Sequence, residues 1–211
     1  GKAMLAPYKA ELDELRKQVI GTAPVKLDGE RQNVRSKETN LGNLIADGML
    51  AKAKELKNAD IALMNGGGIR ASIDEGEITM GELRTVMPFG NTLFVLDLTG
   101  QQLKDGLENG ISGAKLADLP GKFPQVAGMK FKWDPTAPAG DRVYDMMILK
   151  DGSYKPLGPT ETYRMATNSF VANGGDGYKS FAEAIAEGKY NEDLGYPDYE
   201  IFMEHVSKLG G

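Results

Sequence analysis

Some segments of this chain have the apolar spacing of a helix, and others have that of a strand. Apolar side chains every three to four positions predict an amphipathic helix over 40–56, and further helices are predicted after Thr99 and over 178–187 and 197–209. Short or alternating apolar runs predict strands over 61–64, 92–98, 126–133, 142–149 and 163–167. Because helices and strands are mixed without strict βαβ alternation, the pattern favours an α+β fold over a doubly wound sheet.

Glycine is over-represented, at 27 of 211 residues, and several glycines cluster between apolar segments. The runs at 66–68 and 174–175 belong to no repeat or low-complexity tract, so they predict tight functional turns rather than disorder. The first run lies in Asn65-Gly-Gly-Gly-Ile-Arg70, after a predicted strand, where the backbone could approach a ligand and expose N–H donors. It matches neither a Walker loop nor the Gly-x-Gly-x-x-Gly fingerprint, and an ordinary turn is the alternative interpretation.

The chain has one histidine, His205, and no cysteine. A zinc site of the Cys/His type, a disulfide, a catalytic thiol and iron–sulfur ligation are therefore excluded for these residues. A Ser-His-Asp triad would have to use His205, which we interpret as a structural or surface residue of the last helix. The formal net charge of −5 argues weakly against nucleic acid as a partner, because phosphate binding needs clustered Lys and Arg. No apolar stretch has the length of about 18 residues that predicts a transmembrane helix.

The first segment has the pattern of an amphipathic helix that ends near Gly21, with apolar positions at Leu5, Tyr8, Leu12, Leu15 and Val19. Two interpretations are open: a helix packed on its own domain, or a connecting helix from an upstream domain. The chain begins Gly-Lys-Ala-Met, which indicates either processing or a piece of a longer protein. No linker divides residues 23–211, so we expect them to form one domain.

Two arginines four positions apart, Arg31 and Arg35, precede the helix predicted over 40–56. If their segment is helical, both side chains point the same way, and the two guanidinium groups repel each other unless an anion lies between them. Arg70, just beyond the glycine run, would join them if the fold brings the segments together. The alternative is that all three are solvated surface side chains.

Phe89 and Phe170 each lie beside a turn, in Pro88-Phe-Gly-Asn91 and in Ser169-Phe-Val-Ala-Asn-Gly-Gly-Asp176. Two rings on loops could stack on a flat base, whereas the simpler interpretation places both rings in the core. Asp176 could accept hydrogen bonds from the hydroxyl groups of a sugar, or it could bond only its own backbone in the turn.

Five stretches together resemble the C-terminal domain of the 5′-nucleotidase/UDP-sugar hydrolase family. Each is weak alone, but all five, in the family's order and at suitable spacings, are highly specific, and the resemblance runs from about Val25 to the end of the chain. The stretches are Arg35-Ser-Lys-Glu-Thr-Asn-Leu-Gly-Asn-Leu44, Asn65-Gly-Gly-Gly-Ile-Arg70, Pro88-Phe-Gly-Asn91, Tyr163-Arg-Met-Ala-Thr167 and Asn173-Gly-Gly-Asp-Gly-Tyr178.

The resemblance implies a layered α/β/β/α domain with mixed sheets that binds a nucleotide or nucleoside. The two phenylalanines would sandwich the base, the aspartate would bind the ribose hydroxyl groups, and the three arginines would hold the phosphate. The two asparagines would make polar contacts with the nucleoside, with the base as the favoured partner. The implied substrate-binding residues are Arg31, Arg35, Asn65, Arg70, Phe89, Asn91, Phe170 and Asp176.

The resemblance also implies a second domain, because the family enzymes have an N-terminal metallophosphoesterase domain. That domain would hold a His-Asp pair and a pair of divalent metal ions such as Zn, Mn or Co, which have no counterpart in this sequence. We therefore expect this chain to hold no catalytic residue, metal or cofactor and to be inactive alone. Residues 1–22 would be the connecting helix and residues 23–211 the nucleotide-binding domain. Bacterial members are mostly periplasmic or surface-attached, which implies a periplasmic, secreted or cell-surface location.

The resemblance leaves the substrate of the parent enzyme open. Hydrolysis of nucleoside 5′-phosphates such as AMP to nucleoside and phosphate is the leading expectation. UDP-sugars, NAD or 2′,3′-cyclic nucleotides are alternatives. The residues named above would contact only the base, the ribose and the phosphate, so they do not separate these substrates. An alternative of another class is a non-catalytic nucleotide sensor or interaction module.

Overall fold

The computed structural model describes the backbone of residues 2–210 and the side chains of residues 9–210. In that part of the chain the helices are α1 (Lys2–Lys17), α2 (Arg31–Val34), α3 (Asn40–Lys57), α4 (Met80–Val86), α5 (Gly100–Ile111), α6 (Ser169–Ala172), α7 (Lys179–Ala186) and α8 (Asp198–Leu209). The strands are β1 (Val19–Ala23), β2 (Ile61–Asn65), β3 (Gly76–Thr79), β4 (Thr92–Thr99), β5 (Pro124–Ala127), β6 (Met129–Trp133), β7 (Val143–Lys150), β8 (Ser153–Pro156), β9 (Thr162–Asn168) and β10 (Asn191–Pro197). Two short 3-10 turns lie at Gly66–Gly68 and Gly175–Gly177.

The largest sheet is a mixed sheet of five strands in the order β10-β4-β9-β2-β5. Its two central neighbours, β2 and β9, run parallel, and the other adjacent pairs are antiparallel. β2 and β9 therefore end on the side of the sheet where β4 begins. We call this side the β2–β9 end, and the turns that follow β2 and β9 and the loop that precedes β4 all meet there.

Helices cover both faces of the five-stranded sheet. The first face packs against α3, α4 and α8, and its buried residues include Met64, Val95 and Ala166. The second face packs against α5 and α7, with buried Leu63 and Leu96. All five residues of β2 are buried, which explains why residues 61–64 are an unbroken apolar run rather than an alternation.

Two smaller sheets complete the structure. β6, β7 and β8 form an antiparallel meander whose Met129, Val143 and Ile148 join the core on the α5 side. β1 and β3 pair as a two-stranded antiparallel sheet. The predicted mixed α+β class with more than one sheet is confirmed. None of the described helices combines the length and the apolar character needed to cross a bilayer.

The segment 126–133, predicted as one strand, is divided at Gly128 into β5 and β6, which belong to different sheets. Gly128 has φ +74°, a left-handed conformation that favours glycine. A Cβ at this position would lie 2.5 Å from the carbonyl oxygen of Asp60, so a side chain would collide with the backbone of the neighbouring segment. The strand pattern continues across the glycine, and for that reason the sequence did not show the break.

The start of the chain also differs from the prediction. The helix ends at Lys17 and not near Gly21, because β1 begins at Val19 and pairs with β3. Leu12 and Leu15 are exposed on α1, while the side chains of Leu5 and Tyr8 lie outside the described residues.

Candidate functional site

The eight predicted site residues lie on segments that meet at the β2–β9 end. Asn65 ends β2 and Arg70 follows it, Phe89 and Asn91 precede β4, and Phe170 and Asp176 follow β9. The remaining two, Arg31 and Arg35, lie on and just after α2. This helix contacts the Gly66–Gly68 turn, and a Cβ at Gly66 would lie 2.0 Å from the carbonyl oxygen of Val34. The fold therefore gathers residues that are far apart in the sequence.

Arg31 and Arg70 lie close enough to Arg35 for their positive charges to act on it. The pKa of Arg35 is lowered by burial and by the positive charges of Arg31 and Arg70, and the Asp176 carboxylate opposes this shift. Arg31 and Arg35 donate to consecutive carbonyls of one loop, those of Asp118 and Leu119, at 3.3 and 3.1 Å. The ion pairs of the described residues include none of these three arginines. A positive cluster without a paired carboxylate is suited to bind an anion.

Gly66 and Gly67, in the glycine run after β2, do not have the predicted role of exposing N–H donors to a ligand. The N–H groups of Gly66 and Gly67 donate to the carbonyls of Phe123 and Gly121, both at 2.8 Å, so these two donors are not free for a ligand. A Cβ at Gly67 would lie 2.8 Å from the Cα of Gly121. The glycines are therefore needed for close packing of three backbone segments, which brings the loop held by Arg31 and Arg35 against the end of β2.

Asp176 is held in place by two asparagines. It lies in the Gly175–Gly177 turn with φ +58°, a conformation that Asp tolerates better than most residues. Its Oδ2 accepts from Nδ2 of Asn65 at 2.8 Å, and its carbonyl accepts from Nδ2 of Asn109 at 2.9 Å. Asn65 is only 5% exposed, and its Oδ1 accepts from Asn168 at 2.8 Å. Both polar ends of the Asn65 side chain are thus paired within the protein.

The two predicted stacking residues are exposed rings and not core residues. Phe89 is 57% exposed and Phe170 is 45% exposed. The guanidinium of Arg70 lies 5.5 Å from the centre of the Phe89 ring, a cation–π contact that joins the ring to the arginine cluster. Phe170 lies against Gly175, where a Cβ would come within 2.6 Å of the ring. Two large apolar side chains exposed beside a positive cluster are typical of a binding surface.

The loop that carries Phe89 and Asn91 is fixed at its end. The carbonyl of Asn91 accepts from the N–H of Asp198, the first residue of α8, at 2.8 Å. The N–H of Thr92 donates to Oγ of Ser169 at 3.3 Å, which ties this loop to the segment that carries Phe170. The two predicted ring positions are thus connected through neighbouring strands, β4 and β9.

Sequence reasoning missed the supporting residues of this site, chiefly Asn109, Gln125 and Asn168. Asn168 is the N-cap of α6, a position where Asn is favoured, and an asparagine just before the Ser169-Phe170 turn was the available signal. Asn109 and Gln125 gave no such signal, because their partners lie 67 to 91 residues away in the sequence.

Among the side chains of residues 9–210, no group of three or more His, Cys, Asp or Glu has a geometry that could hold a metal ion. The described part of the chain therefore offers no set of ligands for the metal pair that the resemblance implies.

The sequence model of the family described as "5′-nucleotidase, C-terminal domain" matches residues 19–183, more than half of the chain. The chain belongs to this family. A relative from Bacillus subtilis (strain 168), named trifunctional nucleotide phosphoesterase protein YfkN, is 52% identical over 210 residues. The match covers 99% of this 5′-nucleotidase C-terminal domain and 14% of the relative.

Solved structures of the family agree with the fold. The 5′-nucleotidase precursor from Thermus thermophilus superimposes with a TM-score of 0.90 and 45% sequence identity, over 99% of this chain and 40% of that one. The NAD nucleotidase from Haemophilus influenzae gives a TM-score of 0.85 and 29% identity, over 99% of this chain and 38% of that one. The chain thus corresponds to one domain of longer proteins.

Proposed function

We propose that this domain recognises nucleotides for a two-domain, metal-dependent phosphoesterase that hydrolyses nucleoside 5′-phosphates to nucleoside and phosphate. The observation that supports this most directly is the cluster of three arginines without carboxylate partners in the same site as two exposed phenylalanine rings and Asp176. A nucleotide combines an anion, a polar sugar and a flat base, and the site offers groups suited to all three.

Each part of the nucleotide is assigned to a different segment. Arg31, Arg35 and Arg70 hold the phosphate, which relieves their mutual repulsion. Phe89 and Phe170 sandwich the base, and a stacking contact of this kind contributes about 1–3 kcal/mol per base without strong base preference.

The polar contacts of the nucleoside complete the assignment. Asp176 accepts hydrogen bonds from the ribose hydroxyl groups, and Asn91 contacts the base. Because the Asn65 amide is already paired with Asp176 and Asn168, we assign it to hold the Asp176 carboxylate.

We further propose that catalysis belongs to a separate N-terminal domain that holds the divalent metal pair. The chain spans only 14% to 40% of the relatives described above, which leaves room for such a domain in a longer protein. In this proposal residues 1–22, with α1, connect the two domains, and residues 23–211 bind the nucleotide. The parent protein would act in the periplasm, at the cell surface or outside the cell.

Comparing AMP with adenosine tests the binding site. Calorimetric or NMR titration of the 211-residue chain should show tighter binding of AMP than of adenosine, because the arginines contact only the phosphate. Arg31→Gln, which leaves the contact between Arg70 and Phe89 intact, should reduce the AMP affinity about tenfold and leave the adenosine affinity nearly unchanged. Arg142→Gln, which removes an arginine that bonds the Ala137 carbonyl between β6 and β7, is the matched control. Equal loss of AMP binding in both variants would contradict the phosphate assignment.

An activity assay tests whether catalysis belongs to a separate domain. The isolated chain, incubated with AMP and Mn²⁺, Co²⁺ or Zn²⁺, should release no phosphate above background. Robust metal-dependent release that survives repurification would overturn the assignment of catalysis to another domain.

A second candidate function is a parent enzyme with a broader range of substrates. The names of two relatives, a trifunctional nucleotide phosphoesterase and an NAD nucleotidase, favour a parent enzyme that accepts NAD or more than one kind of nucleotide. UDP-sugars and 2′,3′-cyclic nucleotides are the further alternatives that the resemblance implies. Profiling the full-length protein on these compounds beside AMP decides between a narrow and a broad substrate range. Binding without turnover of any of them would instead support a non-catalytic nucleotide-binding module.

A further inference from the structure

Asn168 occupies a position from which one side chain contacts two parts of the proposed site. It is the last residue of β9 and is 1% exposed. Its Oδ1 accepts from the N–H of Val171 at 2.9 Å and so caps α6, the turn of helix that carries Phe170. Its Nδ2 donates to Oδ1 of Asn65 at 2.8 Å.

The second contact continues to Asp176. A primary amide presents an acceptor at one end and donors at the other. Because Asn168 donates to Asn65, the oxygen of Asn65 faces Asn168 and its NH₂ group faces Asp176. That NH₂ group donates to Oδ2 of Asp176 at 2.8 Å. The direction of the first hydrogen bond therefore fixes the direction of the second, and with it the orientation of the carboxylate.

We propose that Asn168 is a positioning residue that couples the base-stacking ring of Phe170 to the ribose-binding carboxylate of Asp176. The inference rests on the proposed function, which assigns those two roles. Asn168 itself is buried behind both groups and acts only through them. A ligand that lacks ribose hydroxyl groups depends only on the contact of Asn168 with α6, which holds Phe170. A complete nucleoside depends also on the contact through Asn65, which holds Asp176.

Two substitutions at Asn168 separate its role as the cap of α6 from its hydrogen bond to Asn65. Asn168→Ser retains an oxygen that caps a helix as well as Asn does, but the side chain is too short to donate to Asn65. Asn168→Ala removes both the cap and the donor. The serine variant should therefore disturb the carboxylate alone, and the alanine variant should disturb the carboxylate and the ring.

The measurement compares adenosine with 2′,3′-dideoxyadenosine in NMR titrations of the 211-residue chain. The wild-type chain should favour adenosine. Asn168→Ser should reduce this preference about fivefold while the affinity for dideoxyadenosine changes by less than about twofold. Asn168→Ala should also weaken the binding of dideoxyadenosine.

The matched control is Thr99→Ala, which removes the cap of α5 at the opposite end of β4. This variant should lose stability and keep the wild-type preference for adenosine. If Asn168→Ser lowered both affinities equally, as a general loss of stability would, Asn168 would be structural only and the inference would be wrong.

Phe170→Ala and Asp176→Ala separate this inference from the proposed function. If neither substitution weakens adenosine binding, the proposed function is wrong and the inference fails with it. If both weaken adenosine binding but Asn168→Ser keeps the full preference over dideoxyadenosine, the proposed function stands and the coupling through Asn168 is refuted.

Discussion

Asp198, at the start of α8, is a buried carboxylate directly behind the loop of Phe89 and Asn91. Only 4% of the residue is exposed, and burial raises its pKa to about 7, against the opposing effects of hydrogen bonds from the backbone and of the positive charge of Arg84. Its backbone N–H holds the Asn91 carbonyl, while its Oδ1 accepts from the N–H of Tyr199 at 2.8 Å. The folded protein therefore favours the protonated form of this side chain below about pH 7.

Asp198→Asn should make stability less dependent on pH. The pKa is higher in the folded than in the unfolded state, so the wild-type protein binds this proton more tightly when folded and loses stability as the pH rises towards and through about 7. Between pH 5 and pH 8 this loss should amount to roughly 2 kcal/mol, and the asparagine variant should lack it.

Urea unfolding of both proteins at pH 5 and pH 8 measures this difference. Asparagine retains a side-chain oxygen for the Tyr199 N–H, so any change reports mainly the lost titration. Parallel pH profiles in the two proteins would show that Asp198 is ionised throughout this range.

At the scale of elements, α2 and the start of α3 are attached to the five-stranded sheet by Gln125 of β5. Gln125 is 1% exposed, and its Nε2 donates to the carbonyls of Val34 and Lys37 at 3.0 and 2.8 Å. Its Oε1 accepts from the N–H of Thr39 at 3.2 Å. One side chain thus satisfies three backbone groups of the segment that carries Arg31 and Arg35.

Gln125→Leu should loosen that segment, because three backbone groups would lose their partner in the interior. We expect a loss of about 2–4 kcal/mol in the free energy of unfolding. We also expect a smaller preference for AMP over adenosine, since both arginines depend on this segment. Gln101→Leu, on the exposed start of α5, is the control. Denaturant unfolding measures the loss of stability, and titrations with AMP and adenosine measure the preference. An unchanged preference for AMP in the Gln125→Leu variant would contradict this account.

The sequence predicted the central elements of the fold well. The bounds of α3, β4 and α8 match within about two residues, because long apolar patterns and capping residues mark them. Thr79 and Glu82 form a capping box at the start of α4, and their Thr-x-x-Glu spacing is visible in the sequence. β1, β3, β8 and β10 were missed, because these strands are short or mostly exposed and are defined by pairing with a neighbour.

The site was predictable in its residue types but not in its internal connections. Exposed aromatic rings beside Pro and Gly, and arginines at helical spacing, are visible in a single sequence. The hydrogen bond between Asn65 and Asp176 joins residues 111 positions apart, and the bond between Asn168 and Asn65 joins residues 103 positions apart. Only the parallel pairing of β2 with β9 brings these side chains together, and local patterns carry no information about it.

At the scale of the whole molecule, ligand binding should stabilise the entire domain, because the site draws on segments from Arg31 to Asp176. At a free AMP concentration about 100 times the Kd, linkage predicts a gain of about 2.7 kcal/mol, which corresponds to several degrees in Tm. Differential scanning fluorimetry with AMP measures this shift, and Phe170→Ala should reduce it. An equal shift with inorganic phosphate alone would show that the rings contribute nothing.

The meeting of separate segments at the β2–β9 end has a consequence for how such a domain can diverge. The groups assigned to the base lie on the loop before β4 and the turn after β9, whereas the groups assigned to phosphate lie around α2 and after β2. Because the buried sheet fixes the ends of these segments, a substitution in one of them can alter the preference for one part of a ligand while the others are retained. Substrate preference in this architecture can therefore evolve piecewise, through exchange of single surface segments on a preserved framework.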